Sequence, residues 1–146
     1  MKKELIDMYL KTDQVRVRHP DKERIKSMVE SAKINAGIAK SIDLDENSAT
    51  LIFREIYESI RQLGDARLWQ IGYEPRNHEV SMEALKELDI KESLMLNHLS
   101  RFKRIRNDAN YRGFKVAVAQ AKEIEDFWNK RDLKDFSEVL LHHPKA

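Results

Sequence analysis

Apolar residues recur at spacings of three and four along nearly the whole chain, the period of one face of an α-helix. Leu5, Ile6, Met8 and Tyr9 mark a short amphipathic helix over residues 2–11. Gln14-Val15-Arg16-Val17-Arg18 then alternates like a brief extended arm, too short to predict a sheet. Pro20 and Asp21 make a helix start, after which Ile25, Met28, Val29, Ala32, Ala36 and Ala39 run down one face to about Ile42. The small residues in the second half of that face predict close approach to another helix. The chain restarts near Asn47 or Ser48, and Leu51, Ile52, Phe53, Ile56, Tyr57, Ile60 and Leu63 form a wide apolar band, that of a central core helix. Gly64 is expected to end or interrupt it, with Leu68, Trp69 and Ile71 continuing to Gly72.

Gly72 to His78 reads as the clearest loop, with Ser81 or His78 as the cap of a short helix carrying Met82, Leu85 and Leu88. From about Glu92 to Tyr111 a longer helix buries Met95, Leu99 and Phe102. Phe114, Ala117, Ala121, Ile124 and Trp128 continue at helical spacing to Asn129, which makes Gly113 a kink or joint. A last helix with Leu133, Phe136 and Leu140 precedes His142-His143-Pro144. The pattern predicts an all-α protein, an up-and-down bundle of about five to six helices. One domain fills residues 1–146: a helix and arm over 1–19, the bundle over 21–130, and a C-terminal helix and tail over 131–146.

Composition narrows the chemistry. A chain of 146 residues that is 41% hydrophobic and 36% charged, with net charge +2, is expected to be a soluble globular domain in which any anion site is a local patch. With no cysteine, disulfides and zinc–thiolate sites are excluded. No stretch matches a signal peptide or a membrane span, so a cytoplasmic location without membrane contact is expected. The glycines never cluster into a phosphate loop, and the histidines at 19, 78, 98, 142 and 143 show no HExxH pairing. No metal or cofactor is therefore expected, and no serine stands in a nucleophile-elbow context.

The stretch from Arg101 to Gly113 departs from this background. The buried stripe of Met95, Leu99 and Phe102 leads next to Arg106, so a guanidinium points toward the core. Such a group snorkels to water or finds a partner, because breaking a buried ion pair costs on the order of 3–5 kcal/mol. Residues 101–112 hold five basic side chains against one acid, of which Arg101, Lys103 and Arg104 read as a solvated face. Asn107, Asp108 and Asn110 are poor helix-interior choices, so helix propensity is given up at one place.

Two long helices, a loop with Gly72 and His78, and a later helix bearing Arg106-Asn107-Asp108-Ala109-Asn110-Tyr111 together resemble the HEPN domain family (higher eukaryotes and prokaryotes nucleotide-binding). The resemblance covers roughly residues 21–130. That family's signature is Arg, often followed by a polar residue, with His four to six residues beyond. It implies a homodimer that faces these residues into one cleft, metal-free RNA cleavage in active members, and a minimal nucleotidyltransferase as partner in toxin–antitoxin pairs. Carried over, Arg106 is the family arginine, Asn107 the polar residue, and Tyr111 or Asn110 fills the histidine position. Tyrosine, with a pKa of about 10, carries protons poorly near neutrality, where histidine at about 6.5 does so well.

The resemblance therefore implies a dimeric module that binds a nucleotide, RNA or a protein partner without strong catalysis, using Arg104, Asp108, Asn110, Arg112 and His78. One alternative is a metal-independent endoribonuclease in which Arg106 stabilises the transition state, Asn107 orients the phosphate, and Tyr111 or His78 moves the proton. A second is a helical scaffold in which Arg106 pairs with Glu55 or Glu58.

Overall fold

The computed structural model describes residues 2–86, 93–130, 137, 138, 140 and 141, with the side chains of 93–97 left aside. Leu88, Leu133, Phe136, His142, His143 and the Met95 side chain lie outside the described residues. The elements run α1 (Lys3–Lys11), β1 (Val15–Val17), α2 (Lys22–Ser41), α3 (Ala49–Gln70), β2 (Tyr73–Pro75), α4 (His78–Leu85), α5 (Ser93–Arg112) and α6 (Val118–Trp128). The protein is mostly helical, as its periodicity predicts.

Helix α2 starts where Asp21, in extended backbone, accepts a hydrogen bond from the Arg24 amide at 3.1 Å. Its buried face of Ile25, Val29, Ala32, Ala36 and Ala39 narrows to methyl groups, and α2 packs most extensively on α3. Helix α3 is the hub, packing against α2, α4, α5, α6 and β2. Ile52, Phe53, Ile56, Ile60 and Leu63 are all fully buried, each contributing about 1.5–3 kcal/mol of transfer free energy. Edge-to-face ring contacts run from Phe53 to Phe102 at 5.9 Å and on to Phe127 at 5.4 Å, joining α3, α5 and α6.

Four local expectations are corrected. Gly64 neither ends nor interrupts α3; a Cβ there would lie 2.1 Å from the Ser81 carbonyl oxygen, so glycine lets the α4 backbone close onto α3. The segment taken as a loop holds β2, which pairs antiparallel with β1 in the register Val15↔Pro75, Arg16↔Glu74, Val17↔Tyr73. The alternating arm is thus a real strand, extended by bonds from Arg18 N to Gly72 O at 2.9 Å and from Arg76 N to Gln14 O at 2.8 Å. Helix α4 is capped by Asn77, whose side chain accepts from the Val80 amide at 3.0 Å; His78 is its first helical residue and Ser81 sits inside it, fully buried. Finally, Gly113 is the expected joint, turning the chain at φ +69 after α5, but Phe114 does not continue the buried stripe: it is 57% exposed and Val116 takes the buried place.

Candidate functional site

The inner face of α5 carries Leu99, Phe102 and then Arg106, which is half-buried as the stripe requires. Its guanidinium carbon stands 5.8 Å from the centre of the Tyr57 ring on α3, and its Nη1 donates to Asn107 Oδ1 at 3.2 Å. Among the described residues no carboxylate forms an ion pair with Arg106. Glu55 is exposed, and Glu58 is engaged by Arg61 instead, so the scaffold reading lacks the sealed pair it requires.

Glu58, Arg61 and Asp65 follow at spacings of three and four along α3, facing α4. Arg61 Nε donates to Glu58 Oε1 at 3.0 Å and Nη1 to Asp65 Oδ2 at 2.7 Å, while the buried Ser81 hydroxyl donates to Asp65 Oδ1. Burial pushes the Asp65 carboxyl above its usual range, with the Arg61 charge and the Ser81 hydroxyl opposing. At Glu58 burial works in the same upward direction, but hydrogen bonding to Arg61 and its charge overcome it, and the pKa ends lowered. Burial raises Tyr57, with Arg106 opposing, which keeps that phenol protonated.

His78 belongs to this cluster. Partial desolvation of its ring comes first among the causes, then the Arg61 charge; Glu58 opposes and Arg106 reinforces, and the imidazole pKa is lowered. The loop histidine is therefore brought into the electrostatic field of Arg106, on a neighbouring helix. Tyr111 is not. Five residues along α5 turn the helix by about 140° from Arg106, and Tyr111 is 77% exposed on the outer side.

The outer face of α5 is partly neutralised by acids from other elements. Arg101 Nη1 donates to Glu123 Oε2 of α6 at 2.9 Å, His98 Nδ1 lies 3.5 Å from the same carboxylate, and Lys103 Nζ lies 3.4 Å from Glu79 of α4. Arg101 and Lys103 thus bridge helices rather than standing as free solvated cations. Arg104, Asn110 and Arg112 are exposed, Arg112 reaching Asp108 only at 3.9 Å.

Tyr57, Arg61, Asp65 and Ser81 were missed as site residues. Their signal was three charged residues at helical spacing set inside the apolar band of α3, where each interruption needs a partner. Among the described residues no three His, Asp or Glu side chains gather as metal ligands, and no helix is long and apolar enough to cross a membrane. No family model, curated protein or solved structure matches the chain.

Proposed function

We propose that the chain is a HEPN-like helical domain that binds the phosphate of an RNA or nucleotide at Arg106, without strong catalysis. Arg106 itself carries the reading. A guanidinium has five N–H donors, and this one, half-buried against Tyr57, has an adjacent amide at 3.2 Å as its recorded hydrogen-bond partner. Glu58, whose carboxylate feels the Arg106 charge, is hydrogen-bonded by Arg61 instead. Charge-assisted, bidentate binding of a phosphate would use the remaining donors, with the Arg106 charge itself supplying the attraction. The same proposal pairs two protomers around this helix and takes a minimal nucleotidyltransferase as protein partner.

The test is a titration of a fluorescein-labelled single-stranded oligoribonucleotide and of AMP against wild type, Arg106→Ala and Arg106→Lys. At least tenfold weaker binding by Arg106→Ala, with partial recovery in Arg106→Lys, is the expected result; equal affinities for all three overturn it.

One observation favours an endoribonuclease as the second reading. With its pKa lowered, His78 is neutral near pH 7 and able to accept a proton beside a phosphate-binding arginine. That activity requires RNA cleavage in EDTA that His78→Ala and Arg106→Ala each abolish. An absence of cleavage from pH 5 to 9 removes it.

A further inference from the structure

Around Gly113, where the chain turns, the side chains of Tyr111, Arg112, Phe114 and Lys115 all reach solvent. Tyr111 is 77% and Phe114 57% exposed, and among the described residues they are the only exposed Phe, Tyr or Trp rings. They sit three residues apart, at most about 10 Å of chain. Cations interleave with them, and Arg104 stands on the same outer stripe of α5, seven residues before Tyr111. The Arg112 side chain is 70% exposed, with Asp108 at 3.9 Å.

Beside the Phe114 ring opens a cavity of about 280 Å³ lined also by Ile105, Asp108, Lys115, Val116 and Gln120. Val116, 3% exposed, makes an apolar floor. Gln120 spends its carbonyl on the Ala117 amide at 2.9 Å, which leaves its NH₂ group to donate. Asp108 supplies the acceptor. The volume lies at or below the low end for small-molecule pockets, a size for one flat ring system, and its rim offers both a donor and an acceptor to a base edge.

We infer that this joint is a stacking platform for single-stranded RNA, on which Tyr111 and Phe114 take unpaired bases while Arg104, Arg112 and Lys115 face the phosphates. The inference rests on the proposed RNA role of Arg106, and it places a second, separate contact on the opposite side of α5. Exposed rings alternating with cations match a strand whose bases are free and whose backbone is anionic. A duplex keeps its bases stacked on one another and leaves the rings without a partner. Tyr111 thereby acts through its ring face, not through its hydroxyl proton.

The experiment is fluorescence anisotropy of a fluorescein-labelled 12-nucleotide oligouridylate, its deoxythymidylate counterpart and a 12-base-pair RNA duplex. Stacking is lost at about fivefold or more per ring on substitution by alanine, so the Tyr111→Ala/Phe114→Ala double variant should bind oligouridylate at least about 25-fold more weakly. Tyr111→Phe and Phe114→Tyr should bind as wild type, and the indole introduced by Phe114→Trp should be quenched by the oligomer. Double-variant affinity within twofold of wild type overturns the platform, as does duplex binding equal to single-strand binding. Tighter binding of the deoxy strand overturns RNA as the occupant. Loss of affinity in Arg106→Ala with none in the double variant removes the platform and leaves the phosphate site; the converse keeps the platform and removes that site. No binding by the wild type removes both.

Discussion

Replacing Gly64 by alanine sets helix propensity against steric room, and the structure decides which wins. In a helix interior the change from glycine to alanine stabilises by about 1 kcal/mol. At Gly37, within α2, an added Cβ meets nothing within 4 Å, so Gly37→Ala should keep that gain. At Gly64 the same Cβ falls 2.1 Å from the Ser81 carbonyl oxygen and 2.7 Å from its carbon. Carbon–oxygen contacts settle near 3.3 Å or beyond, so α4 must retreat by about 1 Å or α3 must bend. Overpacking costs about 1–3 kcal/mol, here toward the upper end because the obstructing atoms are backbone. The retreat also draws the Ser81 hydroxyl from Asp65, and a buried acceptor that loses a donor costs about 1–3 kcal/mol more. Net destabilisation is then about 2–5 kcal/mol after the propensity gain is subtracted. At about 3 °C per kcal/mol for a domain of this size, calorimetry should find Tm lowered by about 6–15 °C in Gly64→Ala and raised by about 3 °C in Gly37→Ala. A Gly64→Ala protein as stable as wild type, by calorimetry and by urea denaturation with an unchanged m-value, would refute the close approach of α3 and α4.

Two further expectations concern the same corner of the molecule. Removing the Arg106 charge should raise the His78 pKa, because that charge helps hold it down; an unchanged histidine titration by NMR in Arg106→Ala would place the two side chains apart. Carbon-detected NMR titration should find Asp65 above and Glu58 below their usual carboxyl values, and the reverse order would contradict the burial of Asp65 and the Arg61–Glu58 bond. The signs for stability differ accordingly. The raised Asp65 value favours the folded state fully below its unfolded pKa of about 3.9, and that contribution is lost as pH rises through the folded value. The lowered Glu58 value stabilises above its unfolded pKa and is lost on acidification through the folded one.

The helices were legible because their period is local. Asp21 with Pro20 located the start of α2, the alanines of its second half foretold the tight contact with α3, and Gly113 announced the joint after α5. What escaped depends on partners far away in the chain. Gly64 read as a breaker because the Ser81 carbonyl that occupies its missing Cβ position lies on another helix. Ser81 read as a cap because its bond to Asp65 spans sixteen residues. Lys103 and Arg101 read as surface charge because Glu79 and Glu123 reach them from α4 and α6. Of the candidate site, the inward aim of Arg106 followed from the stripe of Leu99 and Phe102. The approach of His78 to it did not, since a strand and a helix terminus bring it there.

The small sheet has an effect out of proportion to its six residues. Gln14, beside β1, accepts from the Asn77 side chain at 2.8 Å, and Asn77 in turn caps the helix that begins with His78. The residue that starts the helix ahead of that imidazole is thus tethered to one sixty-three positions upstream. Trimming the protein back to Asp21 would keep every bundle helix, yet free the first turn of α4 to wander and blur the alignment of histidine with arginine.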